Sequence, residues 1–116
     1  MNGNILAMLF EHNNWANDQI IKACLSLSDE HLDAEPQSAT MGSIRKTLLH
    51  LANGQQGYLR LLTVPLEERL DPVTDPPFAD IKEAVKASGE GLLALARDAS
   101  ALEQMGRIQT RDRWLI

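Results

Sequence analysis

Through "NILAMLFEHNNWANDQIIKACLSL" apolar residues return every three or four positions, at Ile5, Leu9, Ala16, Ile20 and Ala23, with Met8 or His12 filling the gap. That is the period of a helix with one buried stripe, and it predicts a first helix over about residues 3–26. The next stretch, "SLSDEHLDAEPQSATMGS", is rich in Ser, Asp and Glu. Ser28 is placed to cap a single turn through Leu32, so residues 27–42 read as a connector. Ser43 is a good N-cap for a second long helix to about Thr63, with a stripe of Ile44, Leu48, Leu51, Gln55, Tyr58 and Leu62.

Pro72, Pro76 and Pro77 crowd the segment 64–77, too many for a helix or a central strand, which makes it a long irregular crossing. Helical spacing resumes over about 78–98, with Ile81, Val85, Ser88, Leu92 and Ala96 on one face and Asp80 or Asp75 as the cap. Gly89 and Gly91 each weaken a helix interior by about 1 kcal/mol relative to alanine, so close packing is expected around them. In the tail, 105–116, Ile108 and Thr110 alternate with polar neighbours, the period of a short strand or extended segment. The expected fold is all-α: an up-and-down helical bundle of three long helices plus a short C-terminal strand or extended tail, in a single domain over 1–116.

Composition narrows the function classes. A chain of 116 residues buries a real core but has no room for a second lobe. A net charge of −5 argues against nonspecific nucleic-acid binding, which needs a basic surface. Arg107, Arg111 and Arg113 with Trp114 form a small basic, aromatic-ended tail, which reads as a strand edge protected by charge ahead of a contact for an anion or a phosphate. The single cysteine, Cys24, forms no internal disulfide and no cysteine-rich zinc site, and it reads as a small core residue. The start carries neither a signal peptide nor a membrane span, so a cytoplasmic protein is expected.

Three histidines, His12, His31 and His50, are the candidate chemistry. His31 lies in the polar connector and reads as solvated. His50 sits among leucines, with Gly54 and Gly57 following on the same face, so the surface beside its ring is bare of side chains: a close helix contact or the floor of a pocket. His50 then reads either as a partly buried histidine hydrogen-bonded to a carbonyl or carboxylate beside the core, or as a metal ligand or general base, roles for which a neutral imidazole is common. A helix-borne metal site usually pairs ligands three or four residues apart, and no such pair of histidines exists here. His12 falls near the first helix's stripe and is the candidate to face His50 across the bundle. Nucleotide-binding loops, Gly-x-Ser-x-Gly and Cys-x-x-Cys are all absent from the sequence.

"HNNWANDQII" on the first helix and "GSIRKTLLHLANGQQGYLRLL" on the second together resemble the DinB-like family of four-helix-bundle metalloenzymes, whose members include thiol transferases. The resemblance implies that Trp15 packs in the bundle and lines its pocket with Gly54 and Gly57. It also implies that His50 stands at one of three histidine positions holding a divalent cation such as zinc or nickel. The family's other two ligands form a His-x-x-x-His pair on a fourth helix, after a segment resembling "RIQTRDRW". No residue up to Ile116 matches them. One imidazole does not hold such a metal tightly, so the site is incomplete as given.

Three explanations fit: a longer protein, a short variant serving as a helical binding or dimerisation module, or two chains that rebuild the bundle together. An apolar face left without its fourth helix needs a cover, so a homodimer is expected. The activity is then either a metal-dependent transferase or hydrolase acting on a small molecule or thiol, once completed, or a non-enzymatic module. No nucleic-acid or membrane partner is expected.

Overall fold

The computed structural model describes residues 5–37, 42–68, 75–98, 108–109 and 114–115. The elements are α1 (Ile5–Cys24), a short α2 (Asp29–Asp33), α3 (Ile44–Thr63), one 3₁₀ turn (Leu66–Glu68), α4 (Phe78–Arg97), β1 (Ile108–Gln109) and β2 (Trp114–Leu115). The strands pair antiparallel, Ile108 opposite Leu115 and Gln109 opposite Trp114. The rest of the predicted tail, with Arg107, Arg111 and Arg113, lies outside the described residues, as do positions 3 and 4 of the predicted first helix. The chain is the all-α bundle that the periodicity predicts.

Two of the caps are the predicted ones. The Ser28 hydroxyl accepts from the His31 N–H, and the Ser43 hydroxyl from the Lys46 N–H at 3.1 Å, each quieting a free amide of a first turn. α4 differs: neither Asp75 nor Asp80 caps it. Its N-cap is Pro77, whose carbonyl accepts from the Asp80 and Ile81 amides, and Asp80 falls in the first turn, where the positive end of the helix favours a carboxylate. Arg45, in the first turn of α3, reaches back to Asp33 and Asp29, both at 2.7 Å, and so fastens α2 to α3.

α4 is the central helix, packing along both α1 and α3. Leu48 and Ala52 of α3 meet Ile81 and Val85 of α4, and further on Gln55 reaches Ser88 while Leu59 lies over Gly91, so α3 and α4 run in the same direction. α1 runs opposite to both: Ile21 and Cys24 join the Leu48 and Ile81 end, whereas Glu11 meets Arg97 at the other. The directions are therefore up, down, down. Strict up-and-down alternation holds from α1 to α3 and is given up between α3 and α4, which begin at the same end of the bundle.

The core is built from Ile21, Cys24, Leu32, Leu48, Ala52, Ile81 and Val85. Every member of the predicted α4 stripe is buried. On α3, Leu48 and Gln55 are buried with Ala52, while Ile44 and Tyr58 turn outward. α1 requires a larger correction. Its predicted stripe of Ile5, Leu9 and Ile20 is exposed, and the buried face carries Ala7, Asn17, Ile21 and Cys24.

The reason is a polar joint between the helices. Gln55 Oε1 accepts from Asn13 Nδ2 (2.9 Å) and Asn17 Nδ2 (3.2 Å), while its Nε2 donates to the Val85 carbonyl (3.1 Å) and to Ser88 Oγ (2.9 Å). Ser88 Oγ in turn donates to the Ala84 carbonyl, and Asn14 Nδ2 donates to the Gly89 carbonyl. One amide thus ties all three long helices, and among the described residues no buried side-chain polar atom lacks a partner. Gly89 suits this contact, since a Cβ there would run into the Asn14 side chain.

Candidate functional site

Beyond the Gln55 joint, towards the N-terminus of α1, the three helices enclose an open groove of about 560 Å³. Leu6 and Phe10 of α1, Leu51 and Leu62 of α3, and Leu92 and Leu95 of α4 make its walls. Leu92, with Ala96 beside it in the lining, belongs to the buried stripe of α4, so the groove continues the inward faces of the helices past the Gln55 joint. The size is that of a small-molecule pocket, and the lining is predominantly apolar, as such pockets are.

Four polar residues border it: Asn13, Gln55, His50 and Tyr58. All of the Gln55 hydrogen-bonding groups are spent on the joint. His50 and Tyr58 lie exposed along α3, flanking Gly54, and their side chains hydrogen-bond to none of the described residues. The groove therefore offers an occupant an imidazole, a phenol and a long apolar bed.

Gly54 lines the groove as expected, and a Cβ there would meet nothing within 4 Å. Gly57 is equally open but lies outside the lining, on the exposed side of α3. Trp15 and His12 are not brought to the groove. Each stands two residues from inward-facing asparagines, Trp15 from Asn13 and Asn17, His12 from Asn14, and two residues turn a helix by about 200°. Trp15 is accordingly 60% exposed, with its ring centroid 5.8 Å from that of His12 on the outside of α1. The expected packing of Trp15 in the bundle gives way for the same reason that the α1 stripe does.

His31 is exposed and its ring meets Ser28 Oγ at 3.1 Å. Cys24 is buried, and burial pushes its thiol pKa up, away from nucleophilic use. Among the described residues, His50 is the one His, Cys, Asp or Glu that lines the groove, and no group of three such residues is placed to hold a metal ion. The described residues alone therefore do not fit a complete divalent-metal site.

The model of the DinB family matches residues 1–114. The chain belongs to the DinB family. No curated protein and no solved structure matches it significantly. Within this DinB-family bundle, sequence reasoning missed the Asn13, Asn17 and Gln55 joint that closes the groove. Its signal was present: two asparagines one helical turn apart on α1, and a glutamine in an otherwise apolar run on α3. No described helix is long and apolar enough to cross a membrane.

Proposed function

We propose that this DinB-family bundle takes a small molecule into the groove between α1, α3 and α4, and that His50 is one ligand of a divalent-metal site at its rim. The other ligands come from a segment outside the described residues or from a second chain. Completed in this way, the protein acts as a metal-dependent transferase or hydrolase in the cytoplasm, with a small molecule or thiol as substrate. The observation that carries the reading is that His50, Gly54 and Tyr58 share one wall of an apolar groove, with the His50 ring free of hydrogen bonds to described residues. Zinc or nickel would supply Lewis acidity there. The chain's own part is to hold an imidazole at the rim and to give the substrate's apolar portion a dry wall.

Calorimetric titration of the purified protein with zinc and with nickel tests this. The reading expects near-stoichiometric uptake that His50→Ala weakens by about tenfold or more, since each ligand lost from a fixed set costs heavily. No uptake, or uptake that His50→Ala leaves unchanged, overturns it. A second reading, a non-enzymatic binding or dimerisation module, is favoured by the apolar outer face of α1 and predicts that absence of metal. Neither reading includes a nucleic-acid partner, and migration of DNA should be unaltered by excess protein.

A further inference from the structure

The groove between α1, α3 and α4 is polar at one end and apolar at the other. The hydrogen bond between Asn13 and Gln55 closes one end, and His50 stands on the rim little more than a turn before Gln55. α1 runs opposite to α3 and α4, so Leu6, Leu62 and Leu95 gather at the far end. Between the two ends the bed is open at Gly54, where a Cβ would meet nothing within 4 Å. The stretch of α3 from Gly54 to Leu62 is about 12 Å long at 1.5 Å per residue.

Among the described residues, no Lys, Arg, Asp or Glu lines this groove. A charge carried into it would lose water without gaining a counter-ion. The cations one turn before His50 are already engaged: Lys46 holds Glu35 at 2.6 Å, and Arg45 holds Asp29 and Asp33. The net charge of −5 further disfavours an anion. We infer that the ligand of the groove is an uncharged amphiphile, a straight hydrocarbon chain ending in one hydroxyl or thiol, with that head at His50 and the chain lying towards Leu62. A zigzag of carbon–carbon bonds advances about 1.25 Å per carbon, so about ten carbons fill the bed.

The inference rests on the groove of the proposed function being the ligand site, and on no metal. A neutral imidazole carries one donor and one acceptor, which a single hydroxyl or thiol answers. Phe10, Leu92 and the ring of Tyr58 flank the chain from the three helices. Each methylene that leaves water for this bed strengthens binding by about fourfold at 25 °C, so affinity follows chain length until the bed is full. A hydrophilic thiol bearing carboxylate and ammonium groups fits badly for the same reason. That narrows the substrate of the proposed reaction to a lipophilic one.

Fluorescence of N-phenyl-1-naphthylamine, an uncharged apolar dye, reads occupancy of the purified full chain in the presence of EDTA. The dye should brighten to saturation and be displaced by straight-chain alcohols, about fourfold more tightly for each methylene from 1-hexanol to 1-decanol and no more tightly beyond about 1-dodecanol. Decanoate and decylamine should compete about tenfold less well than 1-decanol, and glutathione at millimolar concentration should not compete. Gly54→Leu places a side chain in open space within the bed, so it should weaken dye binding by about tenfold or more with helical circular dichroism unchanged. Gly57→Leu, equally open but outside the lining, should bind the dye as the native chain does. A flat chain-length series, or a charged ligand competing as well as 1-decanol, overturns the inference and leaves the groove as the ligand site. No dye binding, or dye binding that Gly54→Leu leaves intact, overturns the inference together with the groove reading beneath it.

Discussion

α4 and α1 have the same length and bury a face against the same bundle, yet only one of them yields that face to its apolar periodicity. α4 is central and meets α1 on one flank and α3 on the other. Its inward positions are filled by Ile81, Val85, Leu92 and Ala96, with Ser88 the single polar exception. α1 touches the bundle through Asn13, Asn14 and Asn17 as well as Ala7 and Ile21, and shows its larger apolar residues to the outside. Hydrophobic burial orients α4, whereas a set of directed amide hydrogen bonds orients α1. Burial is proportional to area and indifferent to direction, while hydrogen bonds fix rotation about the helix axis.

The strongest way to break this contrast is to truncate the same residue type on each helix. Ile81 is 1% exposed and Ile20 is 47% exposed. Ile81→Ala should cost about 3–4 kcal/mol, the transfer of three buried carbons plus the cavity they leave. Ile20→Ala should cost less than about 0.5 kcal/mol of monomer stability, as surface substitutions do. Urea unfolding at low protein concentration measures both. Similar costs at the two sites would mean that α1 is held by its apolar outer side, contrary to its burial.

A smaller effect separates the two orienting forces. Gln55→Leu keeps the volume but removes an acceptor from Asn13 and Asn17, and Asn17 is buried. An orphaned buried amide costs about 1–3 kcal/mol, so a loss near 2 kcal/mol is expected. Asn17→Leu added to it should recover part of that loss, because a matched apolar pair leaves no donor stranded. Strict additivity of the two single costs would show that the joint contributes packing alone.

Much of the fold was legible because its signals are local. Capping serines, clustered prolines and a 3.6-residue period act within a few residues of themselves, so helix positions and most of the α4 and α3 cores followed from the sequence. The rotation of α1 did not follow, since it depends on Gln55, thirty-eight residues beyond Asn17, and periodicity counts an asparagine as a surface residue. The candidate site divides in the same way. Gly54 and His50 share one helix face and were found together. The outer stripe places His12 inward and the family resemblance does the same for Trp15, and both follow α1 when its rotation is corrected.

The glycines give the smallest and most discriminating version of the comparison. In a helix interior, alanine is favoured over glycine by about 0.8–1 kcal/mol in the absence of other contacts. Gly54 meets that condition: a Cβ there finds open space in the groove, so Gly54→Ala should raise stability by about that amount. Gly89 faces the α1 joint, where a Cβ would displace the Asn14 side chain and its 3.0 Å hydrogen bond to the Gly89 carbonyl. The same propensity gain is then outweighed, and Gly89→Ala should lower stability by about 1 kcal/mol. Thermal unfolding of the two variants side by side tests the sign. A rise for both would show that Asn14 gives way easily and that α1 is less firmly fixed by its amides than the geometry indicates. A fall for Gly54→Ala would show that the groove at that turn is already filled.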